Sequence, residues 1–167
     1  MFEQRLLDRA TSLLAVLRTQ KLMLATAESC TGGLIAGLFT EIAGASDVVD
    51  RGFVTYSNAA KSQLLGVPMA LITSHGAVSR EVAIAMAEGA LGTLKHGQAG
   101  IAVSVTGVAG PGGGTASKPV GLVHLAAART GRATRHTECR FGDIGRSAVR
   151  LATIAAALDL IEAASAS

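Results

Sequence analysis

Tryptophan is absent from this sequence, and the other aromatics are one Tyr and four Phe. A core this poor in rings must be built from Ala, Val, Leu and Ile. The surface also lacks the stacking aromatics that sequence-tolerant nucleic-acid binding combines with a basic groove. The net charge of +3 comes without any Lys/Arg run, so a soluble surface is expected and nucleic acid is not an expected partner. Cysteine is nearly missing too. Cys30 and Cys139 form no Cys-x-x-Cys and sit near no histidine at metal-ligand spacing. Two lone thiols in a core-rich chain point to a reducing, cytoplasmic compartment. No apolar run approaches the ~18 residues of a membrane span. The first residues, with Glu3, Arg5, Asp8 and Arg9 among apolar neighbours, read as an amphipathic helix and not as a signal peptide.

What the chain does have is apolar bulk. Hydrophobic residues make up 49% and charged residues 16%, which excludes intrinsic disorder. A length of 167 residues fits one domain, residues 1–167. Apolar groups recur at helical spacing over residues 2–19, 34–42, 58–65, 79–94 and 145–164, with an Ala-Ser-Ala-Ser tail expected to fray. Ser57 and Ser79 are placed to cap two of these helices, and Gly66 and Pro68 to stop one. Strand-length runs cover residues 22–27, 52–56, 101–105, 120–128 and 133–141, the last alternating as an edge strand does. Helices alternating with apolar strands predict an α/β fold, a three-layer α/β/α sandwich. The last two strands have no helix between them, which predicts at least one antiparallel pair.

Four segments carry candidate chemistry. Glu28-Ser29-Cys30-Thr31-Gly32-Gly33 joins a strand to a helix, where free N–H groups can hold an anion or a developing oxyanion; a plain helix cap would explain Ser29 or Thr31 equally well. Tyr56-Ser57-Asn58 is followed by Lys61 about one turn into the next helix, and a Lys desolvated there could accept a proton. The loop from Thr106 and Gly107 through Gly110-Pro111-Gly112-Gly113 falls at the same sheet edge as Ser29 if the strands are parallel. It is neither a Walker A loop nor a dinucleotide fingerprint. Finally, Arg146 opens a helix, with Arg150 one turn on, where the dipole disfavours cations; a phosphate, a carboxylate, or a surface pair with Asp143 would each account for it. His75, His96, His124 and His136 have no zinc-type spacing and read as structural or exposed.

Together with His75-Gly76-Ala77-Val78-Ser79, these segments resemble, in order and spacing, the CinA carboxy-terminal domain family over roughly residues 5–163. The family includes nicotinamide-nucleotide amidases. Longer members carry a further amino-terminal domain, so the resemblance is to the stand-alone form. It implies a mixed five-stranded sheet, a homodimer, and hydrolysis of the carboxamide of nicotinamide mononucleotide, a small nucleotide substrate, with no metal and no cofactor. It puts Ser29 in the place of the nucleophile, Lys61 in that of its base, and Tyr56 alongside. Gly107, Gly110, Gly112, Gly113 and Arg146 fall where ribose or phosphate contacts are expected, with Thr106 and Asn58 beside them. Backbone donors around Cys30 to Gly33 would hold the oxyanion, and Glu28 would hold either Lys61 or the ribose hydroxyls. Two rival readings stand beside this one. Cys30, its pKa lowered at a helix N-terminus, could be the nucleophile. Or the chain could be a non-catalytic nucleotide-binding module in competence or damage regulation.

Overall fold

A computed structural model describes residues 2–166. Five strands, β1 (Met23–Glu28), β2 (Val49–Val54), β3 (Gly100–Gly107), β4 (Leu122–Arg129) and β5 (Arg135–Arg140), form one sheet in the order β2-β1-β3-β4-β5. β1 runs parallel to both β2 and β3, while β3–β4 and β4–β5 are antiparallel. The sheet is therefore mixed, with two antiparallel pairs where the sequence required at least one. β5 lies at an edge, as its alternation predicts.

Side-chain size differs between the two faces. One face presents Leu24, Ile101, Val103, Val105, Val123 and Leu125 to the helices α1 (Gln4–Thr19), α2 (Leu34–Thr40) and α6 (Arg146–Ser165). The other presents Ala25, Ala27, Ala102, Ala126 and Ala128 to α3 (Asn58–Leu65), α4 (Met69–His75) and α5 (Arg80–Gly92). Larger side chains on one face and alanines on the other, most regular along β3, give one face depth and let α5 lie close to the other. This is how a core without tryptophan fills its volume. Ser104, on the alanine face, donates to the Ala83 carbonyl of α5.

Several boundaries differ from the sequence reading, each for a local reason. α4 was not expected, because Pro68 reads as a stop after Gly66. Gly66 does end α3 in the left-handed region, but Pro68, at φ −60°, is the residue that opens α4. β2 begins at Val49, three residues early, because an exposed edge strand carries no apolar alternation. The tail does not fray as expected: Ala164 and Ser165 are buried, and Arg129 Nη1 donates to the carbonyls of Ala164, Ser165 and Ala166, closing the C-terminus of α6. The last tail residue, 167, lies outside the described residues. His124 and His136 stack across β4–β5, with Nδ1 of the first 3.1 Å from Nε2 of the second. Among the described residues, no helix is long and apolar enough to cross a membrane.

Gly89 marks the tightest helix contact. A Cβ built there would run into the backbone carbonyl of Leu65, which cannot move aside as a flexible side chain would. Gly→Ala inside a helix ordinarily stabilises by up to about 1 kcal/mol. Here overpacking reverses the sign. Gly89→Ala is expected to lower the unfolding free energy by about 1–3 kcal/mol, read from urea denaturation at unchanged m.

Candidate active site

The strand register sets up the site. Glu28 ends β1 opposite Val54 on β2 and Val105 on β3, so the connections that follow these three parallel strands emerge at one edge of the sheet. The Ser29 N–H donates to Val105 O, and the Thr55 N–H to Glu28 O, which carries the ladder one step beyond the strands. Ser29 and Thr55 are thereby fixed side by side.

Lys61 reaches this point from α3. Ser57 caps that helix, its Oγ accepting from the Ala60 N–H at 3.1 Å. One turn on, the Lys61 side chain runs back toward the strand ends and is 1% exposed. Its Nζ donates to Thr55 O at 2.8 Å and lies 3.1 Å from Ser29 Oγ. Neither partner carries a charge. Burial pushes the Lys61 pKa below its ordinary value, opposed only by the Cys30 thiol. An amine held this way can be neutral and accept the proton of the hydroxyl it touches.

Glu28 does not do what the resemblance implied. It is fully buried, makes no hydrogen bond to Lys61, and is not among the residues that line the pocket described below. Its Oε2 accepts from the N–H groups of Gly33 and Ile35 at 3.0 and 3.1 Å, and its Oε1 from Ala36 at 2.9 Å. The N-cap residue of α2, Gly33, has no side chain to cap with and sits at φ +93°, so the strand supplies the cap. The expected assignment of Glu28 to the ribose or to Lys61 is corrected on this geometry. The set of oxyanion donors narrows with it. Gly33 N–H goes to Glu28 and Gly32 N–H to Ser29 O, while among the described residues the N–H groups of Cys30 and Thr31 have no acceptor on another residue.

Cys30 is also corrected. A helix N-terminus was expected to lower its pKa. The first-turn donors of α2 are instead spent on Glu28, the thiol is buried, and desolvation pushes it up to about 11. It stays a protonated thiol at neutral pH.

Above Ser29 and Lys61 lies an open pocket of about 210 Å³. The structure brings Ser29, Cys30, Tyr56, Asn58, Lys61, Thr106, Gly107 and Arg146 to its wall. Arg146 spans the mouth: Nη1 donates to Gly110 O and Nη2 to the Tyr56 hydroxyl, both at 2.9 Å. Thr31, Gly32, Gly33, Gly110, Gly112 and Gly113 do not line the pocket. Thr31 is buried beneath it, Gly32 and Gly33 turn the chain into α2, Gly110 contributes only its carbonyl, and Gly112 and Gly113 are exposed. Ala77, Val78 and Ala109 were missed. They line the pocket with backbone and small apolar groups, which carry no chemical signal in a sequence. Thr106 Oγ1 holds this wall by donating to Ala77 O at 2.8 Å. Among the described residues, no group of three or more His, Cys, Asp or Glu is placed to hold a metal ion.

The family model for the CinA C-terminal domain matches residues 7–165. The chain is 49% identical over 150-odd residues to a nicotinamide-nucleotide amidohydrolase, PncC, of Enterobacter agglomerans, with 90% of each chain covered. It is 43% identical to the protein of that name in Escherichia coli K12, covering 96% of this chain and 95% of the relative. It superposes on the crystal structure of competence/damage inducible protein CihA from Agrobacterium tumefaciens with a TM-score of 0.93 at 52% identity, covering 98% and 97%. Three longer curated relatives, named as competence-damage inducible or CinA-like proteins, are spanned for only 26%, 34% and 25% of their own length.

Glu28→Gln tests the capping role. The amide keeps the shape but turns an N–H donor toward backbone N–H donors. The variant is expected to lose about 1–3 kcal/mol of unfolding free energy in urea.

Proposed function

The chain belongs to the CinA C-terminal domain family, and from that premise we propose that it hydrolyses the carboxamide of nicotinamide mononucleotide to nicotinate mononucleotide and ammonia. The observation that carries this reading is the buried amine of Lys61 on the hydroxyl of Ser29, in the wall of an open pocket that Cys30 also lines. The names of the two relatives spanned over nearly their whole length support it.

In this reading Ser29 Oγ attacks the carboxamide carbon while its proton passes to neutral Lys61 Nζ. The carbonyl oxygen, now negative, is held by the Cys30 N–H at the pocket wall. The tetrahedral adduct collapses as Lys61 returns the proton to the amide nitrogen, which leaves as ammonia. Water then gives its proton to Lys61 and attacks the ester; Ser29 is regenerated and the carboxylate product released. Tyr56, its hydroxyl steadied by Arg146, borders the reacting groups, and Arg146 offers the cation nearest to a substrate phosphate. The family likeness also underlies the reading as a homodimer, and the two free thiols support a cytoplasmic setting.

The decisive experiment incubates chelator-treated protein with the mononucleotide and, separately, with free nicotinamide, and measures ammonia. Release from the mononucleotide alone is expected. Binding without release would favour the nucleotide-binding module instead. Ser29→Ala is expected to lower turnover by at least about 10³-fold, while Cys30→Ala keeps at least about a tenth of it. The reverse pattern would transfer the nucleophile's role to Cys30.

The pH profile follows from Lys61. The base must be neutral, and burial lowers its pKa, so kcat/KM rises with pH through that pKa and levels off above it. The midpoint of this rising limb is expected below the ordinary Lys value of 10.5.

A further inference from the structure

Two side chains hold the turn 29–33, Glu28 and Arg150. Opposite Glu28, Arg150 on α6 reaches over the turn, and its Nη2 donates to Thr31 O at 2.7 Å. Gly32, at φ +61°, makes room for it: a Cβ there would stand 3.3 Å from Arg150 Nη2. Arg150 also keeps its Nε buried with no hydrogen-bond partner. A buried donor left unpaired is a liability that stability alone would remove.

From this geometry we infer that Arg150 is a positioning residue: by holding Thr31 O it anchors the turn 29–33, and with it the place of the Cys30 N–H that the reaction proposed above gives to the oxyanion. The inference rests on the reaction proposed above. Its physical basis is the pair of glycines. Turns that differ by a flip of one peptide plane are close alternatives when a residue with positive φ is available, and Gly32 and Gly33 both provide one. A flipped Thr31–Gly32 peptide would give up the Gly32 N–H bond to Ser29 O and swing a carbonyl oxygen away from Arg150. The charge-assisted bond from Arg150 opposes that flip. Arg150 reaches the reacting atoms only through this peptide.

The test compares Arg150→Met and Arg150→Lys with the unaltered full chain in two assays. The first reads kcat and KM for ammonia release from nicotinamide mononucleotide. The second reads the rate at which phenylmethanesulfonyl fluoride, small and uncharged, modifies Ser29, located by mass spectrometry. This assay needs the same donors but no nucleotide. Arg150→Met is expected to lower kcat by about 10- to 100-fold with KM within about threefold of the unaltered chain, to slow sulfonylation by a similar factor, and to regain part of both rates when free guanidinium is added at non-denaturing concentration. Arg150→Lys, which keeps the charge and loses the planar fork, should fall between. If Arg150→Met fails to fold, Arg150→Lys decides by the same split. A KM raised tenfold at constant kcat would overturn the inference by making Arg150 a substrate ligand. Unchanged sulfonylation in a folded variant would overturn it too. If the unaltered chain releases no ammonia while sulfonylation still responds to Arg150, the substrate assignment has failed and the positioning role stands.

Discussion

An amine taken out of water and given only uncharged partners gives up its proton more easily than one in solvent. Lys61 is in that state: nearly inaccessible, bonded to a carbonyl and to a serine hydroxyl, with no carboxylate on it. The rest of the site follows from keeping it so. The parallel pairing of β1 with β2 brings Ser29 and Thr55 together. The Ser57 cap starts α3 at the residue that turns Lys61 back onto them. The alanine face of the sheet then lets the helices of that layer pack close.

Glu28 stands next to Ser29 in the chain. A carboxylate free to reach the amine would keep it protonated. The fold removes that possibility by committing both Glu28 oxygens to backbone N–H groups of α2. The same commitment explains Cys30. A thiol at a helix N-terminus is activated when the first-turn donors face it, and here they face Glu28, so burial governs the thiol. One carboxylate thus separates the two adjacent candidates for nucleophile.

The sequence was a good guide where local pattern and tertiary demand agree. Short apolar runs mark four strands and alternation the fifth, the missing helix between the last two forecasts their antiparallel pairing, and Ser57 and Ser79 cap the helices their positions predict. Ser29 and Lys61 each read as lying at a strand-to-helix junction, and it is the family resemblance that implies their pairing. What escaped was set by direction. Whether Glu28 points into the pocket or back onto α2 depends on a turn with two glycines, and no residue pattern records that choice. Ala77 and Val78 reach the pocket through a hydrogen bond from Thr106, a long-range contact between small groups. Pro68 misled because the same fixed φ that stops one helix begins another.

The start of α6 ties these loops together. Its first residue holds Tyr56 from the β2–α3 connection and Gly110 from the loop after β3, and Arg150, one turn later, holds Thr31 from the connection after β1. Cys30 and Ala109 anchor two of these connections in the core, while Tyr56 and the glycines after Ala109 have no such anchor. Directional bonds from two guanidinium groups supply the constraint instead. The helix dipole disfavours cations at that end, and Gly145 gives α6 no side-chain cap. Two arginines at the worst end of a helix make sense only if what they organise lies outside it.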